Sequence, residues 1–185
     1  GCIGMITVII LANVTGKPRN TNDMHATCLD DLEGEAAAVT RQILLNHAEH
    51  ISAENTKQYL VYLVGIFFNT QSPIARANIV WLISYYCLRQ LPDDNMSSLP
   101  SAAVVVSGMA VYAPNVLREL TRRFVDEEIT VKLQALRLGL IVALKGDDAG
   151  RSLFLHLLEL ARYDMNYDVR DCARWIRGLA NNWDV

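Results

Sequence analysis

Positive charge is in short supply in this chain: 17 lysines and arginines stand against 20 aspartates and glutamates, a formal net charge of −3 at pH 7. A general nucleic-acid binder needs basic surface to displace counterions from phosphates, so nucleic acid is not an expected partner, although a local basic stripe remains open. Cysteine is scarce too. Cys2, Cys28, Cys87 and Cys172 lie far apart, with neither the short spacing of a zinc knuckle nor the density of a disulfide framework. They read as reduced thiols of a cytoplasmic protein. No apolar run reaches the ~18–20 residues of a membrane span. The apolar stretch Cys2 to Ala12 has no basic segment ahead of it, which argues against a signal peptide. Since the chain starts at Gly1 rather than at a methionine, we expect a fragment of a longer protein.

Recognisable catalytic patterns are missing as well. His47 and His50 lie about one helical turn apart, but nothing points to a third and fourth metal ligand. Gly16-Lys17 hints at a phosphate loop, yet Leu11 stands where the first glycine is needed, and without it the backbone cannot form the anion cradle. Neither Cys87 nor Ser107 sits in a nucleophile motif with an oriented base. The expectation is a non-enzyme without catalytic, cofactor-binding or metal-binding residues.

What is present is helix. Apolar residues make up 51% of the chain and charged ones 20%, the balance of a globular protein rather than a disordered one. Cys2 to Asn13 reads as a short helix and Val14 to Met24 as a loop broken by Gly16 and Pro18. Gly34 to Ile51 follows as a helix. The next runs from Ala53 to Asn69, with Leu63, Val64, Phe67 and Phe68 on its apolar side. Ser72-Pro73 is a cap followed by proline at the first helical position, opening a helix to about Leu91 with Ile74, Ala77, Trp81, Tyr85 and Leu88 at core spacing. Residues 92–108 include a polar loop, Pro92 to Pro100. Pro114 opens a helix with Val116, Leu117, Leu120 and Phe124 inward, and Arg118, Arg122 and Arg123 outward. Glu127 and Glu128 precede a long helix to Leu144, and a Gly146-Asp147-Asp148 turn follows.

The stretch Leu153 to Leu179 is two helices joined by a short polar corner. Its first half is apolar almost all round; its second carries Val169, Cys172, Ala173, Ile176, Leu179 and Ala180 on one face. Asn166 is a good N-cap, and Asp168 stands where a carboxylate stabilises a helix start. Arg170, Arg174 and Arg177 form a stripe on another face. As structure, Arg170 and Arg174 pair with Asp164, Asp171 or Glu159 and lock the corner. As function, the stripe meets an acidic partner or anionic lipid. Trp81 reads as core, and Trp175, at the edge of its apolar face, is placed to cover a neighbouring repeat.

About eight or nine helices, paired every ~35–45 residues, fall in the range of HEAT and armadillo units. The expected fold is all-α, a right-handed α-α superhelix over residues 1–185, in which each pair buries its apolar face on the next. A compact helical bundle competes with it.

Four segments, in order, resemble a known family. They are Ala75-Arg76-Ala77-Asn78-Ile79-Val80-Trp81-Leu82-Ile83, Ala113-Pro114-Asn115-Val116-Leu117-Arg118, Val131-Lys132-Leu133-Gln134, and the corner Tyr163-Asp164-Met165-Asn166-Tyr167-Asp168-Val169-Arg170-Asp171 with Arg174, Trp175 and Arg177. Together they look like the later part of the helical trunk of a β-adaptin, a large subunit of the heterotetrameric adaptor complexes; the corner is similar to that of the third such complex. The likeness covers roughly residues 25 to 180. Ser84-Tyr85-Tyr86 departs from the family's usual Gly-Glu-Tyr, and residues 92–108 look like an insertion. The resemblance implies a non-catalytic scaffold in vesicle-mediated transport from Golgi or endosome to lysosome or vacuole. Its implied partners are a medium subunit, a second large subunit and a small subunit, with a small GTPase and clathrin engaged through the full-length protein. It implies a cytoplasmic protein, peripheral on vesicle membranes. Another HEAT or armadillo scaffold, such as a nuclear-transport or regulatory module, is the alternative.

Overall fold

A computed structural model of the chain describes residues 35, 38–39, 41–42, 61–88, 112–144 and 148–180. Residues 1–33, the His47 and His50 pair and the segment 92–108 lie outside these. Among the described residues the regular structure is helical throughout, with no strand. Besides helical positions between 35 and 42, six α-helices are described, against the eight or nine expected of the whole chain. They are α1 (residues 61–67), α2 (Pro73–Leu88), α3 (residues 112–122), α4 (Ile129–Leu144), α5 (Asp148–Arg162) and α6 (Tyr167–Ala180). A short 3-10 turn, Phe124–Asp126, precedes α4. The chain divides into two compact units, Gly1–Tyr112 and Ala113–Val185.

In the first unit, α1 stops in a turn at residues 68–69, and α2 starts after three more residues, at Pro73. Ser72 caps α2: its Oγ accepts from the Ala75 N–H at 3.4 Å, while Pro73 occupies the first helical position, where no N–H is needed. Arg76 is 2% exposed, and its guanidinium donates to the carbonyls of Phe67 at 3.1 Å and Thr70 at 3.4 Å. It thereby serves carbonyls that the end of α1 leaves without helical partners. The same group lies 4.4 Å from the Phe67 ring centre, a cation–π contact in a site screened from water.

The core side of α2 differs from the one expected. Ala75, Ile79, Leu82, Ile83, Tyr86 and Cys87 are buried, whereas Ile74 and Leu88 are exposed and Ala77, Trp81 and Tyr85 are half-buried. The helix is apolar nearly all round, so period alone cannot choose a face. Its polar residues do not mark the outside either. Ser84 is buried with its hydroxyl donating to the Val80 carbonyl at 2.8 Å, and Asn78 donates to the Ile74 carbonyl at 3.0 Å. Trp81 stacks on Tyr85, ring centres 5.2 Å apart and planes 11° from parallel, with the Arg41 guanidinium 5.2 Å from its ring. It packs, but at the less buried side of its helix.

In the second unit the inward residues of α3 are Val116, Leu117 and Leu120, followed by Phe124, as their spacing predicts. The helices α4, α5 and α6 each touch the other two. Close approach of α4 and α5 depends on two glycines. A Cβ on Gly139 would lie 2.7 Å from the Phe154 ring and 3.2 Å from Leu157; one on Gly150 would lie 2.8 Å from Val142. Only a residue without a side chain leaves room there. Contrary to the apolar reading of its sequence, α5 has a single buried face, formed by Gly150, Phe154, Leu157, Leu158 and Ala161; Leu155 is 53% exposed. Its outer leucine is simply solvated, which is common at protein surfaces.

Two glycine substitutions should therefore act in opposite directions. Gly139→Ala is expected to lower stability by about 1–2 kcal/mol, because overpacking against a buried ring outweighs the gain in helix propensity. Gly178, in α6, has nothing within 4 Å of its virtual Cβ. Gly178→Ala should raise stability by about 0.5–1 kcal/mol. Urea midpoints of the two variants check both signs.

Candidate functional site at the helical corner

The corner between α5 and α6 is built by short-range hydrogen bonds. The N–H groups of Tyr163 and Asp164 donate to the carbonyls of Leu160 and Ala161, each at 3.2 Å, closing α5 with a tightened turn. One carboxylate oxygen of Asp164 accepts from the Asn166 N–H at 2.9 Å. The Asn166 side-chain oxygen then accepts from the N–H groups of Asp168 at 2.8 Å and Val169 at 3.3 Å, satisfying two donors that open α6. Asp168 lies in the first turn of α6, where its negative charge complements the helix dipole.

Arg170 reaches back one turn, but to the backbone. Its guanidinium donates to the carbonyls of Asp164 and Met165 and lies 4.2 Å from the Tyr167 ring centre. The Asp164 carboxylate takes another partner, the Lys132 ammonium of α4, at 2.7 Å. Both side chains are largely shielded from water, 11% and 6% exposed respectively. Burial pushes the Asp164 carboxyl upward, but the hydrogen bonds from Lys132 and the Asn166 N–H and the charges of Lys132 and Arg170 outweigh it. The net effect holds that carboxyl below its ordinary value of 3.8. Lys132 also lies 5.6 Å from the Phe124 ring centre. A single aspartate thus ties the corner to α4, and Lys132 is the residue the sequence reading passed over. A signal was present: Lys132 shares a helical line with Ala135, Leu136, Gly139 and Ala143, where a lysine requires a buried acid.

The remaining residues of the stripe lie nearer to water. Arg174 pairs with Asp171 at 2.8 Å, one turn earlier, both well exposed. Arg177 pairs with Glu159, joining α6 to α5, and Arg162 approaches the same carboxylate at 3.9 Å. Between these helices lies an open groove of about 400 Å³ lined by Leu158, Arg162, Tyr163, Ala173, Arg174 and Arg177. Leu158 and Ala173 are buried and form its floor, while Arg162, Tyr163 and Arg174 stand exposed at the rim.

Trp175 does not pack within the described residues; it is 73% exposed. Val169, Ala173 and Ile176 form the buried face of α6, and at about 100° per residue Trp175 falls well away from it rather than at its edge. Cys172 is half-buried and Leu179 is 42% exposed. Neither Cys87 nor Cys172 is in a disulfide, and burial pushes the Cys172 thiol upward. No group of three or more metal-ligating side chains occurs among the described residues. What the corner can do chemically is hold charge and bind; its contacts are structural pairs and surface guanidinium groups.

No family model matches the chain. Individual proteins do. The chain is similar to AP-3 complex subunit beta-1 of Homo sapiens, 36% identical over 166 residues, covering 86% of this chain and 13% of that protein. It is likewise similar to AP-3 complex subunit beta-2 of Mus musculus, 31% identical over 174 residues, covering 86% of this chain and 14% of that protein. The likeness extends to AP-3 complex subunit beta of Dictyostelium discoideum, 28% identical over 155 residues, covering 70% of this chain and 12% of that protein. The chain thus spans about one-seventh of the length of these relatives.

Proposed function

This chain belongs to the β-adaptin family, as a relative of the beta subunits of AP-3 complexes, and on that premise we propose that it is scaffold in an adaptor complex of vesicle-mediated intracellular protein transport. The observation that carries the reading is the similarity to the human and mouse subunits over 86% of the chain. The role is non-catalytic. It consists of holding the other subunits, medium, small and second large, in a fixed relation while the assembled complex sits peripherally on Golgi or endosomal vesicles in the cytoplasm. A small GTPase and clathrin engage it through the full-length protein. The absence, among the described residues, of a helix long and apolar enough to cross a membrane is compatible with peripheral attachment.

The architecture that suits this role is a right-handed solenoid. In the second unit α5 packs on both α4 and α6, and α4 also touches α6, contacts that are compatible with stacked helix pairs. Small shifts between such repeats let a scaffold flex without losing its core. The corner residues Asp164, Asn166, Asp168 and Arg170 fix the angle between α5 and α6, with Asp171, Arg174 and Arg177 at the surface. In the solenoid, Trp175 is the side chain left to meet a following repeat.

The test is affinity purification of the full-length protein from its native cytosol, with identification of bound subunits. Recovery of medium, small and second large adaptor subunits is expected. Recovery of a nuclear cargo or a phosphatase subunit, with no adaptin-type partner, would overturn the proposal.

A further inference from the structure

We draw no further inference here: the strongest candidate, the exposed apolar knob that Tyr163, Met165 and Tyr167 form at the corner between α5 and α6, carries nothing because nothing in the structure shows what covers it.

Discussion

Asp164→Asn is expected to destabilise the protein by about 3–5 kcal/mol, the usual cost of leaving a buried charge without its partner. The asparagine can still accept the Asn166 N–H, so the corner's local geometry is kept. What is lost is the counter-charge of Lys132, whose side chain is 11% exposed. Removing both charges, as in Asp164→Asn with Lys132→Met, should recover a good part of the loss, since an apolar replacement no longer has to be desolvated as an ion. Urea denaturation followed by helical circular dichroism measures all three proteins. A single variant within about 1 kcal/mol of the wild type would show that the pair is effectively solvated.

The same pair sets a pH dependence. The folded carboxyl titrates below its ordinary value of 3.8, so near and below that pH the unfolded chain binds the extra proton first. Stability from this group is therefore fully present well above pH 3.8 and is lost as the pH falls through the depressed folded value. In Asp164→Asn that component of the acid transition should vanish, leaving a flatter curve at the acid end.

Phe154→Ala should cost about 3–5 kcal/mol, through lost burial and the cavity left behind. Phe154 is 1% exposed and packs on the backbone of α4 at Gly139. The two positions should couple. In a Phe154→Ala background the methyl of Gly139→Ala enters vacated space, so the double variant should be more stable than the sum of the single effects implies. Trp175→Ala, a deletion of similar size, should shift stability by less than about 0.5 kcal/mol, because its side chain is 73% exposed. That expectation holds for the 185-residue chain by itself; in the full-length protein, where a following repeat is proposed to meet Trp175, the same substitution should cost more, and comparing the two urea midpoints checks it.

The contrast between these residues separates what was legible from what was not. Helix positions and caps were legible because their causes are local. Ser72-Pro73 and Asn166 with Asp168 act through hydrogen bonds spanning two or three residues, and the polar corner interrupts the apolar pattern where α5 ends. Family membership was also legible, because four segments keep their order along the chain. The core side of α2 was not, since apolar residues surround that helix and only its packed neighbours decide that Ile79 and Ile83 go inside while Ile74 and Leu88 face water. Nor was the partner of Asp164. Arg170 was the obvious candidate by spacing, yet it serves backbone carbonyls, and the carboxylate is met by a lysine from another helix. Sequence alone determined the β-adaptin family, the helices found throughout the described residues and the capped corner, because propensity, capping and periodicity act over one or two turns. The tertiary structure decided which faces are buried, which charges pair and which tryptophan is left in water, because burial and ion pairing depend on helices brought together from distant parts of the chain.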